Sequence, residues 1–179
     1  MSAIPSFDAQ VDGHKLHVVA NGGERLAMLL ETIEGAKSSL RLFYYIFADD
    51  DCGKRVKQAL IEARGRGVKV SVLIDGFGSG DCPDSTFQPL IDAGCVFARF
   101  YPRFGRRYLL RNHQKMVIAD ETVALVGGAN ISDAYFNDSP EGASWHDLMI
   151  RIEGPAAKRL ARYHDALRRW MLSPKPRFR

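Results

Sequence analysis

Apolar positions recur along the chain in two rhythms, short continuous runs and runs spaced three or four residues apart, and the two alternate. Residues 15–20 read as a first strand, with Asn21, Gly22 and Gly23 as a turn. Leu26, Leu29, Leu30 and Ile33 follow at helical spacing, so 24–36 is an amphipathic helix. The unbroken run 40–47 predicts a strand covered on both faces. Asp49, Asp50 and Asp51 then open a helix with Val56, Ala59, Leu60 and Ala63 on its inner side, as acidic residues favour the positive end of a helix dipole. Past Gly65 and Gly67 come a strand over 68–74, a loop over 76–84, a short helix over 85–93 and a strand over 95–100. The runs 116–119 and 123–126 predict two buried strands joined by a turn at Asp120 and Glu121. A polar stretch over 134–144, a strand over 146–152 and a helix opened by Pro155 complete the chain, with Leu160, His164, Leu167 and Met171 on one face of the helix.

The pattern predicts an α/β fold, a mixed β-sheet flanked by helices on both faces, with no internal repeat. A loose lead over 1–14, one domain over 15–172 and a basic, Pro-containing tail over 173–179 are expected.

Composition adds little to this picture and charge adds more. At 179 residues, with 46% apolar and 26% charged, the chain is ordinary for one globular domain. It has neither an apolar run of membrane-spanning length nor the charged and apolar regions of a signal peptide at its start, so a soluble, cytoplasmic chain is expected. Cys52, Cys82 and Cys95 follow no metal or redox spacing and are expected to be reduced. The formal charge of +4 is uneven: from Pro155 onward eight basic residues face Asp165 alone, giving +7 there and −3 before it. A second basic cluster, Arg103, Arg106, Arg107 and Arg111, runs into the stretch that carries the candidate chemistry and is a candidate rim for an anionic substrate.

That stretch is 111–130. His113 and Lys115 lie two apart on a strand, so imidazole and ammonium emerge on one side. Gly127 and Gly128 let backbone come close to whatever those groups hold, and Asn130 adds an amide donor. Together they form a nucleophile surrounded by anion-binding groups. Elsewhere, Asp49 to Asp51 are read as helix-capping residues in preference to a metal site, and Asp75 to Asp81 as either a connecting loop or part of a ligand cleft. His14, His17, His146 and His164 are read as structural.

His113, Lys115, Asp120, Gly127, Gly128 and Asn130 fill every specified position of H-x-K-x4-D-x6-G-G-x-N, and the stretch thus resembles the HKD motif of the phospholipase D superfamily. Over 15–171 the chain is similar to the N-terminal half of bacterial cardiolipin synthases. The similarity runs through YYIFADDDCG, RGVKVSVLIDGFGS and LIDAGCVF, then RNHQKMVIAD, VGGANISDAY, Trp145-His146-Asp147 and Gly154-Pro155.

The resemblance implies one half of a phospholipase D-like fold and phosphatidyl transfer through a phosphohistidine on His113. Lys115, Asn130 and Gly128 would hold the phosphate, and neither metal nor other cofactor would be needed. It places Asp120 in the catalytic motif, although its position at the turn suggests a structural or inter-half pairing role. It also makes Asp147 the candidate carboxylate that orients His113. Family chains carry two motifs and this one carries one, so a second motif-bearing half or a homodimer is the expected partner. The expected substrate is an anionic phospholipid like phosphatidylglycerol, met at the inner face of the cell membrane by a peripherally bound protein. A single-motif homodimeric nuclease and an inactive anion-binding half-domain are the alternatives, with nucleic acid the less favoured ligand.

Overall fold

The computed structural model describes residues 5–100, 111–137 and 145–173. They build an eight-stranded sheet in the order β1-β2-β8-β7-β6-β3-β4-β5. β3 (Ser39–Tyr44), β4 (Lys69–Asp75) and β5 (Val96–Phe100) are parallel, because helical crossovers separate them: α2 (Asp51–Gly65), then a 3-10 turn (Asp84–Phe87) running into α3 (Gln88–Asp92). The other half, β1 (Phe7–Val11), β2 (His14–Val19), β8 (Met149–Glu153), β7 (Val123–Gly127) and β6 (Met116–Ala119), is antiparallel. β6 also pairs antiparallel with β3, so the seam between the halves runs through the middle of the sheet.

Each face has its own core. α1 (Gly22–Gly35), α2 and α3, with the single-turn α4 (Asp133–Phe136), cover one face over Leu29, Ile33, Leu42, Leu60, Val72, Val117 and Leu125. α5 (Pro155–Leu172) covers the other over Phe43, Leu73, Met116 and Ile118. Ala157 and Ala161 are fully buried, and small residues one turn apart let α5 lie close to the strands. β3 and β4 are packed on both faces, which is why they read as largely apolar runs, interrupted inside only by Arg41 and Ser71. Asp50 caps α2 through Gly53 N (2.9 Å) and also accepts from Asp133 N (2.7 Å), and Asp133 in turn accepts from Cys52 N (2.8 Å).

The lead expected over 1–14 is different in the structure. Residues Phe7–Val11 form an edge strand on β2, turned by Asp12 and Gly13 at φ 47° and 75°, a two-residue hairpin turn. The alternation of Phe7, Ala9 and Val11 is weak because Phe7 and Val11 remain exposed, and Asp12-Gly13 is the signal that marks the hairpin. The polar stretch after Ile131 likewise opens with α4, held by the Asp50–Asp133 caps.

His14 bridges Val11 O and Ala156 N, and His17 pairs with Asp8 at 2.8 Å, both away from the motif. His164 is fully buried; its Nε2 donates to Leu42 O at 3.0 Å, and its Nδ1 stands 3.9 Å from Asp165, itself paired with Arg41. Burial lowers its pKa to about 4. The folded ring therefore stays neutral while the unfolded chain takes up a proton below about 6.5, so this contribution is complete above that pH and is lost as pH falls towards 4. His164→Gln keeps a donor for Leu42 O and removes the titration. Between pH 7.5 and 5, thermal or urea unfolding is expected to cost the wild type about 2 kcal/mol more stability than this variant.

Candidate active site

The strand ends along one rim of the sheet converge at the motif. His113 and Lys115 lead into β6, Gly127 and Gly128 leave β7, Asp147 enters β8, Tyr45 follows β3, and Asp75 closes β4. Lys115 is 7% exposed, and its Nζ lies 2.9 Å from His113 Nδ1 and 2.7 Å from His113 O. The Tyr45 ring packs on His113, centroids 4.1 Å apart, and the same ammonium sits 5.3 Å from the Tyr45 centroid. Burial pulls the Lys115 pKa below its ordinary value, and the negative charge of Asp147 partly offsets this. Asn130 is buried, and its side-chain oxygen accepts from Ile46 N at 3.0 Å, which leaves the NH2 end as the group it can offer an anion.

The two motif glycines are required by close approach. A Cβ on Gly127 would stand 2.3 Å from Leu148 O, and one on Gly128 would stand 2.3 Å from Asp147 Oδ1. Gly128 N donates to that carboxylate oxygen at 3.1 Å, as does Leu148 N at 2.7 Å. Asp147 is therefore brought to the motif but not onto the histidine: among the described residues the ring hydrogen bond of His113 goes to Lys115, whose ammonium occupies Nδ1. The expected direct orientation of His113 by Asp147 is absent here, because the carboxylate is turned to the two backbone amides.

Asp120 is not brought to the site. β6 separates it from Lys115 by five residues, roughly 16 Å along a strand. Its carboxylate accepts from Lys37 N (2.8 Å), Ser38 N (2.7 Å), Ser38 Oγ (2.8 Å) and Ser39 N (2.9 Å). These donors hold its pKa below the usual value against the opposing effect of burial, and Asp120 thereby clamps the α1–β3 connection. With respect to its place in the catalytic set this is a correction, and the turn at Asp120 and Glu121, φ 53° and 60°, is its cause. Of the basic rim, Arg111 lies over the Phe77 ring at 3.9 Å. Arg103, Arg106 and Arg107 fall outside the described residues.

Asp75, from the segment read as either a connecting loop or part of a ligand cleft, and Tyr45 and Arg25, which the sequence did not place at the site, hold it in position. Asp75 is fully buried and accepts from Phe77 N (2.9 Å), Gly78 N (3.1 Å) and Asn112 N (3.0 Å), tying the loop after β4 to the residue before His113. Tyr45 supplies the aromatic wall, and a Cβ on Gly78 would lie 2.8 Å from its ring. Arg25 is 2% exposed and donates to Ala20 O (2.8 Å), to the main-chain oxygens of Asp147 and Tyr135, and to Trp145 O (3.3 Å). An arginine one helical turn from Leu29 on the buried stripe of α1 is the signal that could have found it.

A family model described as "Cardiolipin synthase, PLD-like domain" matches residues 29–168. The chain is 36% identical over 149 residues to the major cardiolipin synthase ClsA of Bacillus subtilis (strain 168), covering 81% of this chain and 31% of that protein. It is 34% identical over 172 residues to cardiolipin synthase B of Escherichia coli (strain K12), covering 89% and 41%. Among solved structures, NucT from Helicobacter pylori superposes with a TM-score of 0.70 at 17% identity, covering 86% of this chain and 94% of that one. A mixed sheet with a histidine and a lysine at its rim defines a phospholipase D-like chain, and this one belongs to the cardiolipin synthase PLD-like domain family. It spans between 29% and 41% of the length of the curated relatives it matches.

Because Arg25 gathers carbonyls from three segments, its replacement leaves those acceptors short of a donor. Arg25→Met is expected to lose roughly 2 to 4 kcal/mol of stability. In hydrogen exchange, the Gly128 and Leu148 amides should lose protection first, while the Phe77 and Gly78 amides held by Asp75 keep theirs.

Proposed function

We propose that this chain is the phosphodiester-handling half of a phosphatidyltransferase of cardiolipin synthase type, completed by a second motif-bearing half or by a second copy of itself. The observation that carries this reading is the Lys115 ammonium held 2.9 Å from His113 Nδ1 in a chain of this family. In this arrangement the ammonium donates to Nδ1, which leaves the proton of the neutral ring on Nε2. An arriving phosphodiester presents anionic oxygens that draw Lys115 away from the ring, with the NH2 of Asn130 beside it, while the Gly128 amide, expected to hold the phosphate as well, is engaged by Asp147. Nδ1 then takes the ring proton and Nε2 the lone pair. Asp147, whose charge already acts at Lys115, is the acceptor assigned to Nδ1–H in that state.

Nε2 attacks phosphorus, a P–N bond forms, and the P–O bond to the leaving alcohol breaks. The proton that the leaving oxygen needs comes from the histidine of the other half, because His113 is already bonded to phosphorus. An alcohol attacking the phosphohistidine, with that second histidine as base, completes the transfer.

No helix among the described residues is long and apolar enough to cross a membrane, so substrate in a bilayer would be met from its surface. The exposed cations of α5, Lys158, Arg159 and Arg162, suit an anionic one at the inner face of the cell membrane. The second reading, a homodimeric single-motif nuclease, is favoured by size: NucT is matched over 94% of its own length, so a chain this short can carry the whole fold.

Turnover of phosphatidylglycerol by the two-histidine assembly is expected to persist in excess chelator and to fall at least ~10³-fold in His113→Ala with the circular dichroism unchanged. Activity retained in that variant overturns the mechanism. Cosedimentation should favour anionic over zwitterionic vesicles and weaken as salt rises. Tight gel-shift binding of single-stranded DNA without vesicle binding would transfer the assignment to the nuclease.

A further inference from the structure

Behind the histidine, on the face of the sheet that α5 covers, lies a groove of about 510 Å³. It is lined by Met116 and Val126 from β6 and β7 and Leu160 from α5, together with Tyr163, Gln114 and Arg159. Lys115 and Gly127 line it as well, so it opens directly onto the candidate site. Tyr163 is 41% exposed, and Val126 and Leu160 are only partly covered, which leaves apolar surface facing water within reach of a phosphate-holding ammonium.

We infer that this groove seats one acyl chain of the lipid whose phosphodiester lies at Lys115 and His113, an inference that rests on the phosphodiester reading of the site. The chemistry of the walls selects the occupant. Tyr163 could stack on a nucleotide base and Gln114 and Arg159 could meet its edges, but half of the lining is a thioether, two branched aliphatic chains and a glycine, which offer a base nothing to bond. An alkyl chain needs none of these and gains from leaving water. The volume lies within the range of small-ligand pockets. Charge argues against a second copy lying directly over the groove, because a two-fold axis there would set Arg159 and Arg162 of one copy against the same cations of the other. Arg159 and Lys115 in the lining suit an amphiphile that is anionic at its head.

The test is binding by the full chain, measured by calorimetry below the micellar concentration. The probes are glycerophosphoglycerol and lysophosphatidylglycerols with six-, eight- and ten-carbon chains. For the wild type, affinity is expected to rise by about threefold to fourfold per added methylene until the groove is filled. In Leu160→Trp, which fills the groove, that dependence disappears while glycerophosphoglycerol binds as before. Leu160→Ala, which widens the groove without crowding it, flattens the dependence and guards against a folding defect in the tryptophan variant. Affinity independent of chain length with glycerophosphoglycerol still bound overturns the groove and leaves the phosphodiester reading standing. Absence of binding by every probe overturns both. A shift of oligomeric state in the Leu160 variants, seen by light scattering, reassigns the groove to contact between copies and overturns the acyl-chain assignment.

Discussion

An ammonium withdrawn almost wholly from water at the rim of a sheet is the constraint on which the site depends. Lys115 is 7% exposed and has an imidazole, a carbonyl and an aromatic face for neighbours, with the Asp147 carboxylate acting from a distance. A buried cation so arranged has no ion-pair partner among the described residues, and an incoming anion would supply one. The nearby architecture keeps this charge from finding a closer partner. Two backbone amides engage the Asp147 carboxylate, glycines let that carboxylate approach only the main chain, and Arg25 anchors the segment that bears it.

Much of this was legible before any coordinates. β3 and β4 announced themselves as doubly buried strands, the hairpin of β6 and β7 as two apolar runs about a turn, and α1, α2 and α5 as periodic stripes. The neighbourhood of His113 and Lys115 was legible because it is local, two residues apart, although both stand just before β6 and not on the strand that the spacing predicted. Arg25 was hidden for the opposite reason, because its partners Tyr135, Trp145 and Asp147 lie far along the chain. The same distance hid the bond of Asp75 to Asn112, although its loop could be read as part of a cleft. Asp147 shows the limit from another side. Its place beside the motif could be read from the chain, but the direction of its carboxylate depends on amides at Gly128 and Leu148 and on the ammonium already present at Nδ1.

The edge strand β1 illustrates a weaker form of the same limit. Its alternation holds, but an edge strand with exposed Phe7 and Val11 buries too little to stand out from a polar lead, and only the Asp12-Gly13 pair distinguishes it. Of the run Asp49 to Asp51, Asp50 caps α2 through Gly53 N while Asp49 pairs with the Lys57 ammonium, so only one of the three carboxylates is a cap.

The register of β2 against β8, Lys15 with Glu153 and Val19 with Met149, spans most of the chain. Pairing of such distant segments comes late, because the loop between them must be closed before their contacts contribute. The parallel half of the sheet and the β6–β7 hairpin close far shorter loops. Histidine and lysine are neighbours in sequence, whereas Asp147 before the last strand and the Arg25 that holds its main-chain oxygen meet only across that long loop. The site is thus divided between near and distant segments: a chain interrupted before residue 147 would hold His113 and Lys115 and lack the carboxylate whose charge acts at Lys115.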